Sequence, residues 1–261
     1  RDLHSFPTRR SSDLRMLDAA KYSDASACGN EIASEKPMVR KYIIDSLCYW
    51  ASEYHIDGFR FDLMGVLDIE TLNEARKALL KINPDIIMYG EGWTGGESTL
   101  PESERGMKIN APRTPGIGMF SDDIRDAVKG HVFYMDELGF VNGAADRGEE
   151  LKQAVTCAKW AKSPMQSINY LSCHDNYTLW DRFIISNSHE SEEMRIRMNK
   201  LAAAILFTAQ GIPFFLHGEE FARTKISEAD GTPVENSYCS PLSVNAIDYD
   251  RAEQFSDLKA Y

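Results

Sequence analysis

A chain of 261 residues with 43% hydrophobic and 10% aromatic residues can bury one sizeable core and falls in the range of a single α/β barrel. Its formal charge of −11 and pI near 5.1 repel phosphate backbones and anionic lipid, and no run of Lys or Arg compensates, which sets aside nucleic acid as a partner. No apolar stretch is long enough to span a bilayer, and the five cysteines (Cys28, Cys48, Cys157, Cys173, Cys239) show neither C-x-x-C nor Cys/His ligand spacing. A membrane span, a disulfide framework and a zinc site are therefore not expected. Free thiols fit a reducing, cytoplasmic compartment, with secretion left open.

Residues 1–14 (RDLHSFPTRRSSDL) are basic, Ser-rich and without helical or strand period, unlike the rest of the chain; they read as a non-native or disordered segment ahead of the domain at 15–261. Beyond them, Ser34 is a candidate N-cap, Pro37 suits a first helical turn, and Val39, Ile43, Leu47, Trp50 and Tyr54 recur at helical spacing. Asp57-Gly58 then turns the chain into the apolar run GFRFDL, a buried strand. A helix with Leu72, Ala75, Leu79 and Ile82 on one face stops at Asn83-Pro84 before the strand DIIMYG. The run IGMF at 117–120 is a further strand, followed by a helix from Asp123; a helix over 149–160 leads to the strand SINYLS. A long helix carrying Met194, Met198, Leu201 and Ile205 stops at Gly211 and hands over to IPFFLH.

Strands alternating with helices predict a parallel sheet, either an open doubly wound sheet or a closed (β/α) barrel. Long Gly- and Pro-rich loops at 92–116, 129–147 and 221–245 lie where both architectures place their sites, and no G-x-G-x-x-G or Walker-type loop follows any strand, which favours the (β/α)8 TIM barrel.

Three of these strands end in carboxylates: GFRFD at Asp62, IIMYGE at Glu91 and NYLSCHD at Asp175. Parallel strands bring their C-terminal ends to one rim, so the three acids are candidates to converge. Glycoside hydrolysis needs a carboxylate and a carboxylic acid flanking the scissile bond, roughly 5–5.5 Å apart in a retaining mechanism, and a third acid can stabilise an oxocarbenium-like transition state. Helix capping or structural ion pairing is the competing explanation for any one of them. Arg60, two residues before Asp62, points to the same side of its strand and would pair with a carboxylate there. His174, beside Asp175, is either a core histidine or a donor to a sugar hydroxyl. Glu219 and Glu220, after the last strand, read as structural supports of the rim.

The strings DGFRFDLMG (57–65), YGEGW (89–93) and SCHDN (172–176) resemble, in order and spacing, the second, third and fourth signature regions of the α-amylase superfamily of glycoside hydrolases. The likeness runs from about Arg15 to the end, through CGNEIASEKPMVRKYIIDSL (28–47), IGMFSDDIRDAVKG (117–130) and GIPFFLHGEEFARTK (211–225). It implies Asp62 as the nucleophile that forms a glycosyl intermediate, Glu91 as acid/base, and Asp175 as the acid that binds sugar hydroxyls and stabilises the transition state. Arg60 and His174 would position nucleophile and sugar, and Trp93 and Asn176 would touch substrate, with core packing the alternative for Trp93. Glycine after the glutamate followed by Trp, with GGESTLPESERG (95–106), is most similar to type I pullulanases, which implies cleavage of α-1,6 branch linkages in pullulan, starch or glycogen.

Measured against that family, the chain holds about strands 4–8 of the barrel, and the first three strands and the signature ending in Asn-His are not found in it. The expectation is a fragment that by itself is poorly soluble and inactive. The resemblance calls for no organic cofactor, and without an EF-hand pattern or other dedicated loop no metal is assigned. The competing readings are an α-1,4-acting amylase or neopullulanase and a non-catalytic carbohydrate-binding relative.

Overall fold

The computed structural model describes residues 13–18 and 20–261, so the reading of the N-terminal segment as non-native falls, for residues 1–12, outside the described residues. The chain divides into two compact units, one running to Phe120 and including Trp160–Gln166, the other comprising Ser121–Lys159 and Ser167–Tyr261.

In the first unit, helix α1 (Pro37–Glu53) starts on a proline, which needs no partner for its absent N–H, and ends where His55 turns left-handed at φ 55°. Strand β1 (Gly58–Phe61) follows, then helix α2 (Ile69–Leu79), strand β2 (Ile87–Gly90) and strand β3 (Gly118–Ser121), of which the residues up to Phe120 belong to this unit. These strands pair in parallel, with Arg60 opposite Tyr89 and Gly90 opposite Met119. Asp68 caps α2 by accepting from Thr71 N at 2.9 Å. Met64, Leu72, Ala75, Leu79, Ile86, Met88, Ile117 and Met119 form the core.

In the second unit, helix α3 (Asp122–Lys129) leads to helix α4 (Gly148–Val155), strand β4 (Ser167–Asn169), helix α5 (Leu179–Ser186), helix α6 (Glu192–Thr208) and strand β5 (Ile212–Pro213). Short helices α7 (Leu242–Asn245), α8 (Arg251–Gln254) and α9 (Ser256–Ala260) complete it. β4 and β5 are parallel, with Ile168 opposite Ile212. Thr178 and Ser191 cap α5 and α6 through Asp181 N and Met194 N, each at 3.1 Å. Ile124, Val128, Leu171, Leu179, Phe183, Ala202 and Leu206 make its main core.

Several sequence expectations change. Ser34 does not cap α1: its hydroxyl donates to Asp68 Oδ2 at 2.7 Å and accepts from Asp68 N at 2.9 Å, so it braces the next helix instead. The face assigned to α1 is only partly covered. Val39 is buried while Trp50 and Tyr54 are exposed. On α6 the buried positions are Met198, Asn199, Ala202 and Leu206, a stripe rotated from the predicted one, with Leu201 exposed. α5 is absent from the expected elements, because the polar SCHDNYT run masks its start. The stretch between β2 and β3, read from the sequence as a loop at 92–116, holds no α-helix and carries 3-10 segments at Glu102–Glu104 and Lys108–Arg113.

Candidate active site

Asp62 and Glu91 are the residues that follow β1 and β2. Parallel pairing in register places both at the same end of the sheet, and Glu91 N continues the ladder by donating to Phe61 O at 3.0 Å. Arg60 joins them. One end of its guanidinium pairs with Asp62 Oδ1, and the other donates to Glu91 Oε1 at 2.8 Å. Its Cζ lies 5.6 Å from the Phe120 ring centre, and that ring meets Tyr89 edge-on, so the cation sits over an aromatic floor supplied by β2 and β3.

The two carboxylates differ in surroundings. The Glu91 side chain is 8% exposed and the Asp62 side chain 68%. The second Glu91 oxygen accepts from Leu63 N at 2.7 Å, and Leu63 adopts the left-handed conformation at φ 42°. A non-glycine residue rarely takes that conformation unless its surroundings impose it. Two residues on, Gly65 N donates to both Glu91 O and Trp93 O at 3.2 Å. A Cβ on Gly65 would stand 2.4 Å from Trp93 O, so only glycine lets the loop after β1 lie against the loop after β2. Gly92 is similarly confined, with Lys108 Cγ 2.7 Å and Met119 Sδ 2.8 Å from where its Cβ would be. Trp93 is half-buried, with Lys108 Nζ 5.6 Å from its ring centre. The structure thus brings Arg60, Asp62 and Glu91 together, with Trp93 in the adjoining loop.

The remaining candidates belong to the second unit. His174 is exposed and Asp175 partly so, and His174 Nε2 lies 3.3 Å from Asp175 Oδ2. Asn176 is left-handed at φ 60°, and its N–H donates to Asn236 Oδ1 at 3.2 Å. Lys225 Nζ donates to His174 O at 3.3 Å and to Ser237 Oγ at 2.7 Å. Burial holds that ammonium below the usual lysine range. Asp181 accepts from Lys225 N at 2.9 Å and from Thr224 Oγ1. The loop that bears His174, Asp175 and Asn176 is therefore tied to residues 224–237. Sequence reading missed Leu63, Lys225 and Asn236 because each of these contacts has a backbone atom on one side (Leu63 N, His174 O and Asn176 N), which leaves no composition signal. Among the described residues no group of three or more His, Cys, Asp or Glu is placed to hold a metal ion.

The model of the alpha amylase catalytic domain matches residues 25–254. The chain belongs to that family. It is 41% identical over 242 residues to a pullulanase of Bacillus subtilis (strain 168), covering 90% of this chain and 33% of that protein. A pullulanase of Klebsiella aerogenes is 31% identical, with 90% and 25% covered. Among solved structures, the pullulanase of Paenibacillus barengoltzii in complex with maltohexaose and alpha-cyclodextrin gives a TM-score of 0.88 at 47% identity, covering 95% of this chain and 38% of that one. The pullulanase of Anoxybacillus sp. LM18-11 complexed with maltotriose gives 0.89 at 44%, covering 95% and 35%. The chain thus spans between 25% and 38% of the length of these relatives. Its parallel strands and intervening helices are those of an incomplete (β/α)8 barrel.

Proposed function

We propose that this chain carries the catalytic acids of a retaining α-glucan hydrolase that cleaves α-1,6 branch linkages. The observation that carries the reading is the pair Asp62 and Glu91, at the ends of neighbouring parallel strands and held by one guanidinium, in a chain of the alpha amylase family. One guanidinium bridging both carboxylates keeps the pair together at the strand ends, and the assignment of a retaining mechanism rests on the likeness to the alpha amylase family.

In the proposed reaction, an Asp62 oxygen attacks the anomeric carbon as Glu91 gives its proton to the departing glycosidic oxygen, so that the C–O bond breaks and a glycosyl ester forms. Glu91 then takes a proton from water, whose oxygen displaces Asp62 and restores the configuration. Exposure suits Asp62 to reach a sugar, and the enclosed Glu91 suits a group that must exchange a proton with one partner at a time. Asp175 and His174 would bind sugar hydroxyls, and Trp93 and Asn176 would contact neighbouring rings. The preference for α-1,6 linkages is supported by the named pullulanases among the relatives. The test is to incubate the product of the complete gene with pullulan. Maltotriose as product supports the reading, panose or isopanose would replace it with α-1,4 attack, and hydrolysis by Asp62→Asn at the wild-type rate would remove Asp62 as nucleophile.

A further inference from the structure

Glu219 is placed where the proposed mechanism has no use for it. It follows β5, is 4% exposed, and one of its oxygens accepts from Ser172 Oγ while the other is buried without a hydrogen-bond partner among the described residues. Ser172, itself 2% exposed, also accepts from Leu179 N at 3.1 Å. Leu179 is the first residue of α5, so a single hydroxyl closes both ends of the loop that carries His174, Asp175 and Asn176. The direction of the chain of bonds matters. Ser172 has one proton to donate, and because Glu219 takes it, the hydroxyl lone pairs remain to receive the helix N–H. The free N–H groups of a helix start otherwise need a capping side chain, and the Thr178 cap serves Asp181 N rather than Leu179 N.

We propose that Glu219 is a positioning residue that fixes Asp175 through Ser172, setting the loop at the height where Asp175 meets the sugar. This rests on Asp175 acting in the proposed hydrolysis, but the clamp itself can be read without turnover. A carboxyl kept from solvent only to fill space would be replaced at less cost by an apolar side chain, because burial opposes its charged form and pushes it up to about 7. Its environment includes Lys129, the last residue of α3, and Glu220. The other tethers of the loop, Lys225 to His174 O and Asn236 to Asn176 N, lie after Ser172, so the clamp is the anchor on the β4 side.

The experiment uses the product of the complete gene with Glu219→Gln, Glu219→Ala and Ser172→Ala, and Glu228→Gln at an exposed site as control. Two readouts are taken: amide hydrogen exchange resolved at Leu179 and across α6, and kcat and KM on pullulan. Loss of the clamp is expected to speed Leu179 exchange at least about tenfold in both alanine variants while α6 stays protected. It is also expected to lower kcat about 10- to 100-fold with KM changed less than about threefold, the scale of a displacement of about 1 Å in a catalytic group. Glu219→Gln, which still offers an oxygen to Ser172, should recover most of both. Ser172→Ala removes one oxygen atom and keeps the test open if the Glu219 variants fail to fold. Unchanged Leu179 exchange and kcat in Ser172→Ala overturn the proposal, as does loss of protection spread equally through α6, which would mark a general structural role. A wild-type protein inactive on every α-glucan would defeat the functional reading, and Leu179 exchange would still decide the clamp.

Discussion

Arg60→Ala tests how much the candidate site depends on one cation. The substitution leaves Glu91 with 8% of its side chain exposed and, among the described residues, Leu63 N as its remaining hydrogen-bond partner. Breaking one side of a fully buried ion pair costs about 3–5 kcal/mol, chiefly because the surviving charge is stranded. Arg60 is 25% exposed, so water can partly replace it, and the figure falls to about 2–3 kcal/mol. The link to Asp62 adds little, since that carboxylate is 68% exposed and solvent already screens it. For a domain of this size the loss corresponds to a fall in Tm of about 4–12 °C. Denaturant titration followed by tryptophan fluorescence reports it, because Trp50, Trp93 and Trp160 all belong to the unit that contains Arg60. Arg60→Lys should recover only part of the loss, as an ammonium on a flexible stem cannot hold two carboxylates in a planar fork. A destabilisation below about 0.5 kcal/mol for Arg60→Ala would show that Leu63 N and solvent suffice for Glu91, and the bridging argument would fail.

Gly65→Ala should destabilise by about 1–3 kcal/mol and lower turnover with it, since the methyl meets the backbone carbonyl of Trp93, which cannot swing aside as the neighbouring Met107 side chain can; denaturant titration and pullulan assays check both. Asp68→Ala removes the α2 cap together with acceptors for Ser34 and Arg40, and a loss of about 2–3 kcal/mol is expected in the same titration. Burial pushes Asp68 up, but bonds from Ser34 and Thr71 and the charge of Arg40 outweigh it and leave the carboxyl below its ordinary range. Its contribution is therefore present above the unfolded value and is lost as pH falls through the folded one. Glu219 acts in the opposite direction: burial raises it from 4.5 to about 7, so the folded chain holds the extra proton and stability falls as pH rises through that interval. Lys129, lowered from 10.5 to about 8 by burial and by Arg125, with Glu219 and Cys173 opposing and Arg182 adding to the shift, makes stability rise again above pH 8. Glu219→Gln should abolish the fall between pH 5 and 7, and a profile unchanged by that substitution would contradict the assignment.

Much of the fold and of the site is legible in the sequence because the relevant signals are local. Gly, Pro and Asn mark the turns before β1 and β2, and Asp62 and Glu91 stand directly after the runs that become those strands. The pairing of Arg60 with an acid follows from the period of two along a strand. The features that escape a sequence reading depend on partners distant in the chain. Ser34 has every local mark of a cap, yet its hydroxyl is claimed by Asp68, across residues no window of periodicity spans. The stripe on α6 departs from the hydropathy pattern because Ala202 and Asn199 are buried where Leu201 is not, and hydropathy ranks them the other way. α5 is hidden by its polar approach, although Thr178 followed three residues later by Asp181 is a start signal present in the sequence.

The strands that position the site are short, four residues in β1 and β2 and three in β4, so the sheet alone cannot orient side chains that lie beyond its last hydrogen bond. The orientation comes from backbone amides and carbonyls just past the strand ends. Leu63 N fixes one oxygen of Glu91, Gly65 N binds two carbonyls of the next loop, and Leu179 N closes the Asp175 loop on Ser172. A backbone amide in a chain already ordered by the fold has no rotamers of its own left to freeze, whereas a long side chain gives up as much as about 2 kcal/mol of rotamer freedom, so the amide is the more exacting support. They also explain why glycine is required at Gly65 but not at every turn: the requirement arises where one loop must come within hydrogen-bond reach of another. Substitutions that alter backbone approach in 63–65 or 172–179 should therefore impair the acids as severely as changes to the residues that touch them, while exposed loop positions such as Glu228 should be neutral.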